Sequence, residues 1–261
     1  MPAGERVQKV VAQLGLASRR EAEQWIRAGR LTVNGTPAVL GMRVGPHDQL
    51  KLDGRPIRRR SVAQTRPPVI LCHRSPGEPL LETRSRSEPG ALTASAASVG
   101  ALSVAARLPR RAGRRFISIS PLPTVDGGLE LLTADGATAS RLQRAMGSAE
   151  MEFSLRVRGE LSEQQSQAIR RGQLDDGRTV HVKALEPGGG EGSNRWYRLV
   201  TVGASGNEIR QLTERAAATL VRMLRTRIGT LSLPRTLPRG QWRELTEAEI
   251  ASVAGSPDTD R

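Results

Sequence analysis

The chain has 261 residues, 37% of them hydrophobic, so it can bury a core in one large domain or two unequal ones and is not a tail. It carries 40 Lys and Arg against 26 Asp and Glu, a formal net charge of +14, and such an excess points to a polyanionic partner, nucleic acid first. The single cysteine, Cys72, excludes an internal disulfide framework and any multi-cysteine metal centre.

Only Lys9, Lys51 and Lys183 are lysines. The bias to arginine fits bidentate phosphate recognition, and it fits a GC-rich coding preference equally well. The opening "MPAGERVQKVV" lacks an apolar run of signal-peptide length. No segment approaches the ~20 apolar residues of a membrane span. The expectation is a soluble, cytoplasmic protein with no membrane partner.

In chain order, residues 5–29 predict two helices. Val7, Val10, Val11 and Leu14 recur at helical spacing, Gly15 interrupts, and "SRREAEQWIRAG" starts again. Ser18 and Glu21 form a capping-box pattern and Gly29 is placed to end the helix. "LTVNG" and "DQLKLDG" alternate apolar and polar residues into Asn34-Gly35 and Asp53-Gly54 turns, which predicts a small strand-rich piece. Residues 5–54 thus make a first module and the Arg-rich 55–67 a linker. A second domain covers 68–248 and a disordered tail 249–261. In the second domain "VILCH", "EFSLRVRGELS", "TVHVKALE", "NRWYRLVTV" and "TLSLP" predict strands. "SEQQSQAIRRG" and "EIRQLTERAAATLVRML" predict helices, and residues 88–103 a poorly ordered insertion.

The first 60 residues hold 12 Lys or Arg against 5 Asp or Glu, half of the net charge of the chain. Within them Gly15, Ser18, Arg19, Arg20, Glu21, Ala22, Glu23, Ile26, Gly29, Val33, Asn34 and Gly35 form a pattern. It resembles the αL-type RNA-binding motif of a small-subunit ribosomal protein, heat-shock RNA-binding proteins and several rRNA-modifying enzymes. The resemblance implies that Arg19 and Arg20 meet structured RNA through its backbone and shape. Arg20, Arg27 and Arg30, near one face of the second helix, offer a row of phosphate contacts, and Arg6, Lys9 and Asn34 are the other candidate RNA-binding residues. The alternative for the arginines of the second helix is a solvated face.

Further on, "GLELLTADG", "RVRGELSEQQ", "GEGSNRWYRLV", "NEIRQL" and "RTRIGTLSLPRTLPRGQWRELTEAE" resemble the rRNA pseudouridine synthases of the RsuA/RluB type. This implies an α+β protein: a small RNA-binding module followed by a pseudouridine-synthase-like domain on a mixed, mostly antiparallel sheet, with the helix in "EIRQLTERAAATLVRML" broken near Ala218 ahead of a strand. In that family "G-R-L-D-x-x-T-x-G-L-L-L-L-T-x-D-G" carries the catalytic aspartate. With the motif anchored on Gly128, Leu129, Leu131, Leu132, Thr133, Asp135 and Gly136, Pro123 stands at the aspartate's position. Proline offers no acid, nucleophile or donor for a reaction that breaks and remakes a bond on a flipped uridine.

Asp126, at the family's threonine position, is the one displaced candidate. In an extended strand three residues cover about 10 Å and end on the other face, so rescue needs a tight turn. An Asp126 carboxylate within hydrogen-bonding reach of Arg210 favours the enzyme, and one facing solvent opposes it. The resemblance places Arg210 in the site as the aspartate's partner, Phe153 as the base-stacking residue without the family's tyrosine hydroxyl, and Arg222, Arg225 and Arg227 as RNA contacts. If Arg210 has lost its partner, the anion must come from Asp126, Asp135, an RNA phosphate, or water in an opened cleft. Glu130 interrupts an otherwise apolar strand and reads as a solvated position.

His47, His73 and His181 are scattered, without acids or cysteines at ligand spacing, so neither a metal nor a cofactor is expected. "GGGEGSN" reads as a hairpin loop rather than a phosphate cradle. Trp25, Trp196 and Trp242 read as packing residues, and aromatics at 2% argue against a broad base-stacking platform. Three functions stay open. One is a monomeric rRNA-binding pseudoenzyme of the isomerase family, acting in ribosome biogenesis on pre-ribosomal particles. The second is a working synthase in rRNA processing that uses Asp126. The third is a decayed second domain carried by an active first module.

Overall fold

The computed structural model describes residues 4–57, 67–81, 103–108, 115–190 and 192–255. Contacts divide them into two units that part at Pro67 and Pro68, with Ala134–Gly136 clustering with the first.

In the first unit, β1 (Glu5–Arg6) leads into α1 (Val7–Gln13) and α2 (Arg19–Arg27), followed by β2 (Leu31–Val33), β3 (Thr36–Pro37), β4 (Arg43–Val44), β5 (Leu50–Leu52) and β6 (Arg55–Pro56). Strands β3-β2-β5-β6 make one small sheet and β1-β4 another. Ser18 Oγ accepts from the Glu21 amide at 3.0 Å and the Glu21 carboxylate accepts from the Ser18 amide at 3.3 Å, so the capping box starts α2. Asn34 (φ 49°) and Gly35 (φ 87°) make the left-handed turn between β2 and β3. Val7, Val11, Ala22, Ile26, Leu31 and Leu50 form the core. β6 falls inside the segment read as linker.

The second unit contains β7 (Val69–Arg74), β8 (Ile117–Ile119), β9 (Gly127–Thr133), α3 (Gly136–Ala145), β10 (Glu150–Arg158), α4 (Glu163–Arg171), β11 (His181–Pro187), β12 (Asn194–Val202), α5 (Gly206–Arg215), β13 (Leu220–Ile228), β14 (Leu231–Ser232), β15 (Trp242–Glu244) and α6 (Glu247–Ala254). The main sheet runs β11-β12-β10-β13-β9-β7-β15. Every pairing in it is antiparallel except β13 with β9. One edge of β9 is shared: β13 pairs at Gly127 and Gly128, and β8 takes over at Leu131–Thr133. A side chain at either glycine would collide with backbone, since a Cβ on Gly127 would lie 2.4 Å from the Arg74 carbonyl oxygen and one on Gly128 2.3 Å from that of Arg225. β10 alternates half-buried and buried residues, and its inner face (Met151, Phe153, Leu155, Val157) packs with Ile209 and Leu212 of α5 in the core.

One expectation needs correction. The residues read as a tail from 249 include most of α6, which Thr246 caps and which buries Ile250 and Val253; short helices with small residues hide in tail-like composition. The helix begun in "EIRQLTERAAATLVRML" ends at Arg215, and Ala217 turns left-handed (φ 52°) into β13, so the break expected near Ala218 is there. The insertion at 88–103 lies outside the described residues, apart from Ser103.

Arg243 clamps Glu249 of α6 through both guanidinium arms at 2.9 and 2.6 Å, and holds its pKa at about 2. Lys183 and Arg227 hold Glu150 at about 2 as well. Both folded-state values lie below the ordinary value of about 4.3, so stability from these pairs is complete above that pH and is lost as pH falls from there toward 2. An acid titration followed by circular dichroism should show destabilisation across that window, smaller in an Arg243→Met variant.

Candidate functional site

The first unit presents a basic face. Arg6, Arg19, Arg20 and Arg27 are exposed, and their side chains have no hydrogen bond or ion pair among the described residues. Arg19 and Arg20 stand on the first turn of α2, where backbone N–H groups add to the positive field. The other residues expected to touch RNA are engaged within the unit. Lys9 pairs with Glu5. Arg30 grips Asp53 at 2.9 and 2.5 Å and lies 5.6 Å from the centroid of the Trp25 ring. Asn34 donates to Asp48 and accepts from the Gln49 amide, both at 2.8 Å, so its side chain shapes the turn.

In the second unit the loop from Ser120 to Asp126 joins β8 to β9 at the point where β9 passes from one neighbour to the other. It contains the tight turn that the Asp126 alternative required: the Asp126 amide donates to the Pro123 carbonyl at 3.0 Å. The turn swings the carboxylate inward. Arg210 of α5 donates to it from Nε at 2.7 Å and from a terminal nitrogen at 2.6 Å, and the Met223 amide donates at 2.9 Å. The Asp126 side chain is 0% exposed and that of Arg210 23%. The Arg210 guanidinium is raised above its ordinary pKa, mainly by the Asp126 hydrogen bonds and against burial. The anion that Arg210 needed is therefore Asp126. Pro123 itself is half-buried against α5, where a Cβ on Gly206 would lie 2.7 Å from its Cδ.

Behind the loop, Glu130 is buried between two buried arginines. This overturns its reading as a solvated position: β9 is covered on both faces, so a charge in it must find partners inside. Glu130 accepts from Arg74 Nε at 3.0 Å, from Arg225 at 3.0 Å and from the Leu122 amide at 3.1 Å. Arg74 spends its other donors on the carbonyls of Glu78, Leu122, Pro123 and Thr124, and Arg225 on those of Leu129 and Ser120. Burial pushes the Glu130 carboxyl up and the Arg225 guanidinium down, each opposed by the attraction of the other.

Two further site residues sit differently from expectation. Arg225, expected to face RNA, lies wholly inside the fold because the Glu130 carboxylate and two carbonyls take its donors. Phe153, expected to stack on a base, is 0% exposed in the core beside the β13 strand. Arg222 is half-buried and has no ion pair among the described residues. Arg227 is spent on Glu150 and Glu152. Sequence reasoning missed Arg74, whose only advance signal was a charge at the end of an apolar strand. Among the described residues no three His, Cys, Asp or Glu side chains cluster as metal ligands.

The comparisons agree with this architecture. Residues 5–50 match the family model for the S4 domain. The ribosomal large subunit pseudouridine synthase B of Pseudomonas aeruginosa is 36% identical over 96% of this chain, which spans 62% of that relative's length. That of Salmonella typhi is 36% identical over 96% of this chain and 82% of its own length. A solved pseudouridylate synthase covers 96% of this chain and 100% of its own at 17% identity with a TM-score of 0.57, a likeness of fold. With its S4 domain, its mixed sheet and identity sustained along almost its whole length, the chain belongs to the family of ribosomal large subunit pseudouridine synthase B.

Proposed function

We propose that the protein is a ribosomal-RNA-binding member of this family in which uridine isomerisation is lost or impaired. One observation carries the reading: the position that the family motif gives to its aspartate holds Pro123, and the next acid along the chain, Asp126, has no exposed surface. A flipped nucleotide needs an acid it can reach and a ring it can lie against. Here the acid is enclosed and Phe153 has no exposed face. RNA contact is supported by the free arginines of the first unit, which are surface groups independent of the sealed centre.

The Asp126–Arg210 pair also favours a second reading, a working synthase in which Asp126 acts after the loop opens. A nucleotide-resolution pseudouridine map of ribosomal RNA from cells with and without the gene separates the two. The expected result is an unchanged map, with the protein co-purifying with ribosomal RNA. A uridine left unmodified in the deletion, restored by wild type and not by the isosteric Asp126→Asn, would establish the second reading instead.

A further inference from the structure

The face of the main sheet turned away from α5 carries the alternate residues of β10: Glu150, Glu152, Ser154, Arg156 and Arg158. Its two ends differ. At one end three carboxylates and three cations neutralise one another: Lys183 bonds Glu150, Arg198 bonds Glu152 and Glu186, and Arg227 bonds Glu150. At the other end Arg156 has Trp196 opposite it on β12 and Arg222 opposite it on β13, and Arg158 is exposed two residues along.

None of these three arginine side chains has an ion pair or hydrogen bond among the described residues. Two like charges directly opposite on adjacent strands are destabilising, and a buried N–H without a partner costs more. The Arg156 Nε is such a group, buried and without an acceptor. Its guanidinium carbon lies 5.9 Å from the Trp196 ring centroid, in cation–π range. The same sheet face thus balances its charges at one end and leaves them open at the other, around its one indole. Unneutralised arginine forks mark a phosphate site, and the half-buried indole beside them gives an unpaired base a flat surface to lie against. A duplex keeps its bases stacked and offers the ring nothing, and an acidic peptide would answer the charges while leaving the indole unused.

We propose that Arg156, Arg158, Trp196 and Arg222 bind single-stranded RNA, its phosphates on the arginines and one base on the indole. The inference rests on the RNA-binding reading above and adds a second site, on a different unit and for a different RNA form.

The test uses the full-length protein, wild type and the variants Trp196→Ala, Trp196→Phe, Arg156→Gln/Arg222→Gln and Arg19→Gln/Arg20→Gln. Thermal melts check each fold, and the probes are a short oligouridylate, a stable RNA hairpin and polyglutamate, followed by anisotropy. Trp196→Ala should weaken oligouridylate about 5- to 150-fold, from the roughly 1–3 kcal/mol of one stacked base, and Trp196→Phe should recover most of it. Arg156→Gln/Arg222→Gln should lower the salt slope by about 1.4, at roughly 0.7 per single-strand phosphate contact. Hairpin binding should survive these changes and fall with Arg19→Gln/Arg20→Gln. Hairpin binding alongside oligouridylate binding that ignores the Trp196 and Arg156/Arg222 variants overturns this inference alone. Polyglutamate binding that depends on Arg156 and Arg222, in the absence of oligouridylate binding, also overturns it and assigns the face to an acidic protein. Failure to bind any of the RNAs overturns the proposed function together with it.

Discussion

Glu130→Leu should be among the most destabilising single changes available in the second unit. It leaves Arg74 and Arg225 side by side, buried, with no anion. Removing one member of a single buried pair typically costs about 3–5 kcal/mol, and here one carboxylate serves two guanidinium groups. Set against the roughly 5–15 kcal/mol that holds a typical protein folded, that loss brings the second unit close to unfolding in buffer. Urea titration of the purified protein measures it. Glu130→Gln keeps shape and an acceptor without the charge and should fall between. Adding Arg225→Met to Glu130→Leu should return part of the lost stability, because it removes one of the stranded charges. A Glu130→Leu protein as stable as wild type would mean that the ionised carboxylate contributes nothing.

Asp126→Ala is expected to cost about 3 kcal/mol, the low end of the range for a broken buried pair, since Arg210 retains contact with water and can be partly solvated. The Met223 amide also loses its acceptor. At this chain length each kcal/mol moves the melting temperature by about 2–4 °C, so calorimetry should record a fall of about 6–12 °C. Asp126→Asn should fall by less, because it keeps an acceptor for the amide and for one arm of Arg210. Neither variant should change the pseudouridine content of ribosomal RNA. A loss of modification in Asp126→Asn, with the fold intact, would make the carboxylate a catalytic group and the turn at Pro123 its means of delivery.

Much of the fold was legible because its signals are local. Ser18 and Glu21 are three residues apart and cap each other, Asn34-Gly35 makes its own turn, and β10 shows its two faces by alternation. What was hidden depends on partners far along the chain. Glu130 reads as a surface charge until Arg74, 56 positions earlier, and Arg225, 95 positions later, are brought to it. For the same reason no spacing rule separates Arg222, half-buried and without an ion pair among the described residues, from Arg225, buried three residues on. Phe153 lies at the position the family comparison indicates, yet alternation alone assigns it to the core face, which is where it stands. The direction of Asp126 depends on the turn bond to Pro123 and on Arg210 and Met223, 84 and 97 positions later.

The way the Ser120–Asp126 loop is fastened bears on how such a chain could change. Arg74 and Arg225 hold it by the main-chain oxygens of Ser120, Leu122, Pro123 and Thr124, and every amino acid supplies that oxygen. A side chain at position 123 can therefore be exchanged without releasing the loop. In a scaffold that grips its reactive segment by the backbone, the reaction and the fold are separately inherited: the first can disappear in one substitution while the second registers almost no cost.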